Sequence, residues 1–281
     1  MKLSSSLFLL ASVLVVGCSS EVAEPGGPAA PTSPFEGTGQ IEEPGATVGG
    51  SRASSVGPSF EVGRVASSEA FVCRKGAFCD DFEGQAGSRW GQSVVEGGEI
   101  GRGVGSASLG KGSLSVTTKP GDSRAFLVHE AGEVSATWSG AFSFAVRPAA
   151  SPRDALGLPE LAVKTVHDGT VTIGFALRPE GIYLEQRGSS ECKLDRCVTK
   201  SKLVGTFTPG TWTRIDLGIE AGSEGVAPFG RLEVKINGGP LVATDLTVPL
   251  GNGTAILRAG ITRGDVQDAN VDLDDVSLLT R

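Results

Sequence analysis

From residue 71 onward, apolar and polar side chains alternate with a period of two. Phe142, Phe144 and Val146 share one parity, with Ser143, Ala145 and Arg147 on the other. Val171, Ile173, Phe175 and Leu177 form a second apolar set. Ile215, Leu217 and Ile219 alternate with Arg214, Asp216 and Glu220, and Leu232, Val234 and Ile236 with Arg231, Glu233 and Lys235. This period predicts half-buried antiparallel strands. Turn chemistry separates them: Asn237-Gly238-Gly239-Pro240 signals a hairpin, Asn252-Gly253 a further turn, and His167-Asp168-Gly169 a connection between the strands around Ala162 and Ile173. No stretch carries a sustained helical period with caps. The expectation is an all-β, two-sheet antiparallel jelly-roll sandwich of about a dozen strands over residues 71–281.

Two short acidic strands bracket this region, Phe78-Cys79-Asp80-Asp81-Phe82-Glu83 and Val271-Asp272-Leu273-Asp274-Asp275-Val276-Ser277-Leu278. They are predicted to be neighbours that close the sandwich. Calcium takes six to eight oxygen ligands, and Asp80, Asp81, Asp274 and Asp275 are the candidate metal ligands if these strands adjoin. Strict alternation puts Asp272 and Asp274 on one face and Asp275 on the other, so they cannot all serve one ion.

Ahead of the sandwich the pattern changes twice. Lys2 and the apolar run Leu7 to Val16 make an export signal too short to span a bilayer as a stable helix. Its end, Leu14-Val15-Val16-Gly17-Cys18, resembles the lipobox of bacterial lipoproteins. That resemblance implies cleavage before Cys18 and lipidation of its thiol, hence a membrane anchor in a bacterial cell envelope. Ser19 is compatible with sorting to the outer membrane. Residues 19–70 mix scattered prolines with Gly, Ala, Ser, Thr and Glu and hold no hydrophobic period, so they cannot bury enough apolar surface to offset their ordering entropy. They are expected to be a disordered tether, reaching on the order of 40 Å as a flexible coil.

Composition agrees with strands and turns: 41 Gly and 15 Pro stand against one Met and one Tyr. Net charge is −7, and removing residues 1–18 takes away only Lys2 and leaves the chain still more acidic. That acidic balance argues against a nucleic-acid binder, for which a clustered basic footprint is expected. Beyond Cys18, four cysteines allow three pairings. Local pairing, Cys73 with Cys79 and Cys192 with Cys197, is expected because each pair flanks a short polar or Gly-containing loop, and such bonds persist in an oxidising compartment. A zinc site is disfavoured by the lack of C-x-x-C spacing and by only two histidines, His129 and His167.

The order of motifs resembles the concanavalin A-like lectin/glucanase superfamily, specifically laminin G-like domains. Carrying the resemblance are Asp80-Asp81-Phe82-Glu83 with Trp90, Gly112-Ser113-Leu114-Ser115-Val116, Gly210-Thr211-Trp212-Thr213-Arg214-Ile215-Asp216-Leu217, the hairpin Leu232 to Leu241, and the closing strand. The Asp-Asp-Val-Ser-Leu ending also looks like that of some jelly-roll carbohydrate-binding modules, which implies an aspartate helping to hold structural calcium. Glycosidases of the superfamily carry a Glu-x-Asp-x-(x)-Glu strand with paired carboxylates, and this chain has none. Nor does a motif surround its Tyr or His residues as in lyases of that fold, and a nucleophile elbow, a P-loop and an H-E-x-x-H helix are all missing.

Binding is the class left. On the strand Gly181 to Arg187, Tyr183, Glu185 and Arg187 point away from Ile182 and Leu184, forming a candidate glycan face. Trp212 shares parity with Arg214 and Asp216 and is a further candidate. The expected role is a non-catalytic, lipid-anchored module recognising a glycan or envelope protein, with a polysaccharide-active enzyme or a structural envelope protein as alternatives.

Overall fold

The computed structural model describes residues 73–84, 87–104, 108, 110, 112–165, 169–188, 198–222 and 229–281. Cys18, the tether, His167 and the Cys192–Cys197 pair lie outside these. Among the described residues there is no helix, and fifteen strands run β1 Phe78–Asp80, β2 Gln92–Glu96, β3 Gly98–Val104, β4 Gly112–Thr118, β5 Arg124–Val134, β6 Ser139–Pro148, β7 Leu156–Thr165, β8 Thr170–Arg178, β9 Gly181–Arg187, β10 Val198–Gly205, β11 Thr213–Ala221, β12 Gly230–Ile236, β13 Val242–Asp245, β14 Gly253–Ile261 and β15 Ala269–Thr280. They build two stacked antiparallel sheets. The first is ordered β13-β12-β11-β6-β15-β4-β3 with β1 also on β15, and the second β10-β9-β8-β7-β14-β5-β2.

The period-two residues form the layer between the sheets. Phe142, Phe144, Ile215, Leu217, Leu232 and Val234 of the first sheet are buried against Ile173, Phe175, Leu177, Ile182 and Leu184 of the second. Phe144 meets Phe175 across the gap edge to face, centroids 5.6 Å apart. The Asn-Gly hairpin forms as expected: Asn237 and Gly238 both have positive φ, and Gly239 N–H closes the turn on Ile236 C=O at 2.8 Å.

The two acidic strands do adjoin, with Phe78 opposite Leu278, Cys79 opposite Ser277 and Asp80 opposite Val276. One half of β15 pairs with β4 and the other with β1, while β6 runs along its opposite edge. At the changeover the register against β6 shifts between Asp274 and Ser277, and Asp275 takes φ of 51°. This bulge corrects the alternation argument. The extra residue turns Asp275 outward like Asp274, while Leu273 and Val276 stay in the core. Beside the closure a disulfide joins Cys73 to Cys79, the expected local pairing.

Candidate functional site

The outward face of the second sheet carries a charged network laid across four strands. As the parity of β9 requires, Tyr183, Glu185 and Arg187 leave the core side, where Ile182 and Leu184 are buried. Glu185 is not a free ligand-facing acid. Its carboxylate is buried and accepts from Arg178 Nη2 at 2.8 Å and from Arg263 Nη2 at 3.2 Å. Arg187 pairs with Glu160 of β7, whose other oxygen accepts from Arg258 Nη1 at 2.8 Å. Two buried glutamates are therefore each clamped by two arginines, the arrangement that offsets the large desolvation cost of burying a carboxylate.

Small residues make this possible. Gly174 of β8 stands directly between Glu185 and Glu160, and a Cβ there would come within 2.7 Å of the Glu160 Cβ. Ala176 and Gly157 flank it, letting the Arg263 side chain lie across β7 and β8 to reach Glu185. Pro159 lacks an amide donor, and the β7–β8 register shifts between Gly157 and Glu160 around it.

Aromatic surface borders the network. The Arg178 guanidinium lies over the Tyr183 ring, 4.6 Å from its centroid, and that of Arg258 over Phe126 at 5.7 Å. Leu203, opposite Tyr183 in β10, is exposed. At one end Arg178 and Arg263 line a depression of about 430 Å³ whose rim holds Asp122, Asp154 and Val266. Asp265, also at this depression, is committed to the backbone, accepting from the N–H groups of Arg153, Asp154 and Val266 at 2.7, 3.0 and 2.7 Å.

Trp212 does not join this face. It precedes β11 on the other sheet, where the Arg147 guanidinium lies 5.3 Å from its ring while pairing with Asp272 at 2.7 Å. Of the residues in the network, Glu160, Arg178, Arg258 and Arg263 were not singled out by sequence reasoning. For Glu160 and Arg258 the signal was a charge embedded in an apolar strand, in Leu158-Pro159-Glu160-Leu161-Ala162-Val163 and Ile256-Leu257-Arg258-Ala259.

The four candidate metal ligands divide, and Asp81 accepts from Glu83 N–H at 3.3 Å. Asp80 accepts from Phe82 N–H at 2.9 Å and from Trp90 Nε1–H at 2.7 Å, pinning the aromatic residues that fill the closing edge. Asp274 accepts from Ser108 N–H and Asp275 N–H, both at 2.8 Å. Asp275 faces Arg214 Nη1 at 3.6 Å through one oxygen, while its Oδ1 is buried with no hydrogen-bond partner among the described residues. Burial pushes its pKa up to about 6; Arg214 and the Ser108 hydroxyl oppose this, and the charges of Asp81 and Glu83 add to it. Among the described residues, no three acidic, histidine or cysteine side chains converge closely enough to hold an ion. His129 stacks on Phe78 with centroids 3.7 Å apart, and desolvation lowers its pKa despite nearby Glu130.

No family model and no curated protein matches this chain. Among solved structures it is similar to an alginate lyase, with 15% identity over 64% of this chain and 86% of that one and a TM-score of 0.40. It is also similar to a cellulose-induced protein, with 14% identity, 72% and 96% coverage and a TM-score of 0.47. Lectin II from Ulex europaeus gives 12% identity, 73% and 98% coverage and a TM-score of 0.45. Likenesses this remote carry no role over to this chain, whose function is read from its own side chains.

Proposed function

We propose that this chain is a lipid-anchored module of a bacterial cell envelope that binds a carbohydrate on the outward face of its second sheet, without catalysis. The observation that carries the reading is the face itself: a row of fixed guanidinium donors bordered by the Tyr183 ring and Leu203. Sugars offer hydroxyls to such donors and C–H faces to such rings. Because the arginines are already clamped, they would lose little conformational freedom on binding. The Cys18 lipid anchor, supported by the lipobox-like leader, would hold the module at the membrane.

A glycan array probed with the full chain tests the binding role. Specific capture that Tyr183→Ala weakens, with no sugar released, is the expected result; release of reducing ends or unsaturated products would replace it with an enzymatic role. For the anchor, palmitate label should enter the wild type and be missing from Cys18→Ser. Labelling of both would remove the lipid.

A calcium ion at the β1–β15 closure is proposed separately. Asp80, Asp81, Asp274 and Glu83 all accept N–H donors, so the side chain left to bind it would be Asp275, whose buried Oδ1 has no hydrogen-bond partner among the described residues and which lies near the charges of Asp81 and Glu83. The ion would supply positive charge there and favour ionised carboxylates. Millimolar calcium should raise the melting temperature at pH 7 and EDTA should reverse it; a melting temperature indifferent to both removes the ion. In EDTA the sign for Asp275 is fixed by its raised pKa. The folded state holds this proton more tightly than the unfolded chain, so its contribution is present below about pH 4 and lost as pH rises toward about 6. Asp275→Asn should therefore be the more stable protein in EDTA at pH 7, and lose that advantage near pH 4.

A further inference from the structure

We infer that the ligand of the second-sheet face is an anionic polysaccharide, one bearing carboxylate or sulfate groups; this rests on the carbohydrate reading above. The network is layered by charge. The side chains of Glu160 and Glu185 are 3% and 2% exposed, whereas those of Arg178, Arg258 and Arg263 are 32%, 24% and 26% exposed. The acids lie at the bottom, against the sheet, and the guanidiniums lie on top. A ligand approaching this face meets N–H donors and no acceptor from the network.

The charges are also unbalanced. Even with Arg187 set aside, three guanidiniums face two carboxylates, within a chain whose overall charge is −7. A cationic patch on an acidic protein runs against the average composition, and it attracts anions while the rest of the surface repels them. Guanidinium forks match carboxylate and sulfate oxygens better than they match single hydroxyls. The Nε atoms of Arg178 and Arg263 are buried, so the guanidinium surface that a ligand meets is the Nη edge.

A depression lies at one end of the face. It is lined by Arg178 and Arg263 together with Asp122 and Asp154, so its charge is mixed and the cationic surface proper lies over the sheet.

Calorimetric titration of the full chain with oligogalacturonate, carboxyl-reduced oligogalacturonate and a sulfated galactan oligosaccharide tests this. At least one charged oligosaccharide should bind about tenfold or more tighter than the reduced one, with affinity falling as salt is raised. Preference for the uronate or for the sulfate ester identifies which anion is read. Arg258→Gln should weaken the charged ligand about tenfold and the reduced one by markedly less, so that the charged-to-reduced ratio falls. If that variant does not fold, the wild-type charged-to-reduced ratio and its salt dependence decide the matter alone. Equal binding of charged and reduced forms overturns the inference and leaves the carbohydrate reading standing. Capture of no glycan at all overturns both.

Discussion

Glu160→Ala should cost this protein about 3–5 kcal/mol, the range for removing one partner of a buried ion pair. Glu160 accepts from Arg187 and from Arg258, strands apart in the sheet and 27 and 98 residues away in the chain. Without it, Arg187 and Arg258 lose the buried carboxylate they share. Urea denaturation would show the loss as a lowered midpoint. Glu160→Gln keeps the volume and one acceptor oxygen but not the charge, and should recover only part of the loss. A cost below about 1 kcal/mol for the alanine variant would mean that the network behaves as a solvated surface pair, and the preorganised face proposed here would lose its physical basis.

Phe144→Ala should be similarly damaging, about 3–5 kcal/mol. Phe144 is fully buried at the middle of the sandwich, 5.2 Å from Phe142 in its own strand and 5.6 Å from Phe175 in the facing sheet. Truncation removes contact area from both sheets and leaves a cavity that two rigid layers cannot collapse to fill. Phe144→Leu, which retains most of the volume, should cost less. Thermal melting of the two variants side by side checks the order. Equal melting temperatures for Phe144→Ala and wild type would mean that the sheets are not packed through this position.

These two predictions fall on either side of what local pattern reveals. Phe144 was legible: its place in Phe142-Ser143-Phe144-Ala145-Val146 assigns it inward, and the same reading sent Tyr183, Glu185 and Arg187 outward. Glu160 was not, because its role depends on Arg187 and Arg258, which reach it only once β9, β8, β7 and β14 lie side by side. Trp212 shows the same limit. Its parity was readable, but its position on the opposite sheet from Tyr183 follows from which strands pair.

The amino-acid order alone determined the strand class, the inward sets and the Asn237-Gly238 turn, and it pointed to the local Cys73–Cys79 pairing and the meeting of the chain's two acidic strands. Each of these follows from alternation, turn chemistry or short loop length, which act over a few residues, or from matching apolar strands that need burial. Tertiary structure decided the rest: the bulge that turns Asp275 outward, the use of Asp80 and Asp274 as acceptors for N–H donors, and the arginine clamps over Glu160 and Glu185. Those depend on register between strands far apart in sequence, and a shift of one residue in pairing reverses the face on which a side chain lies.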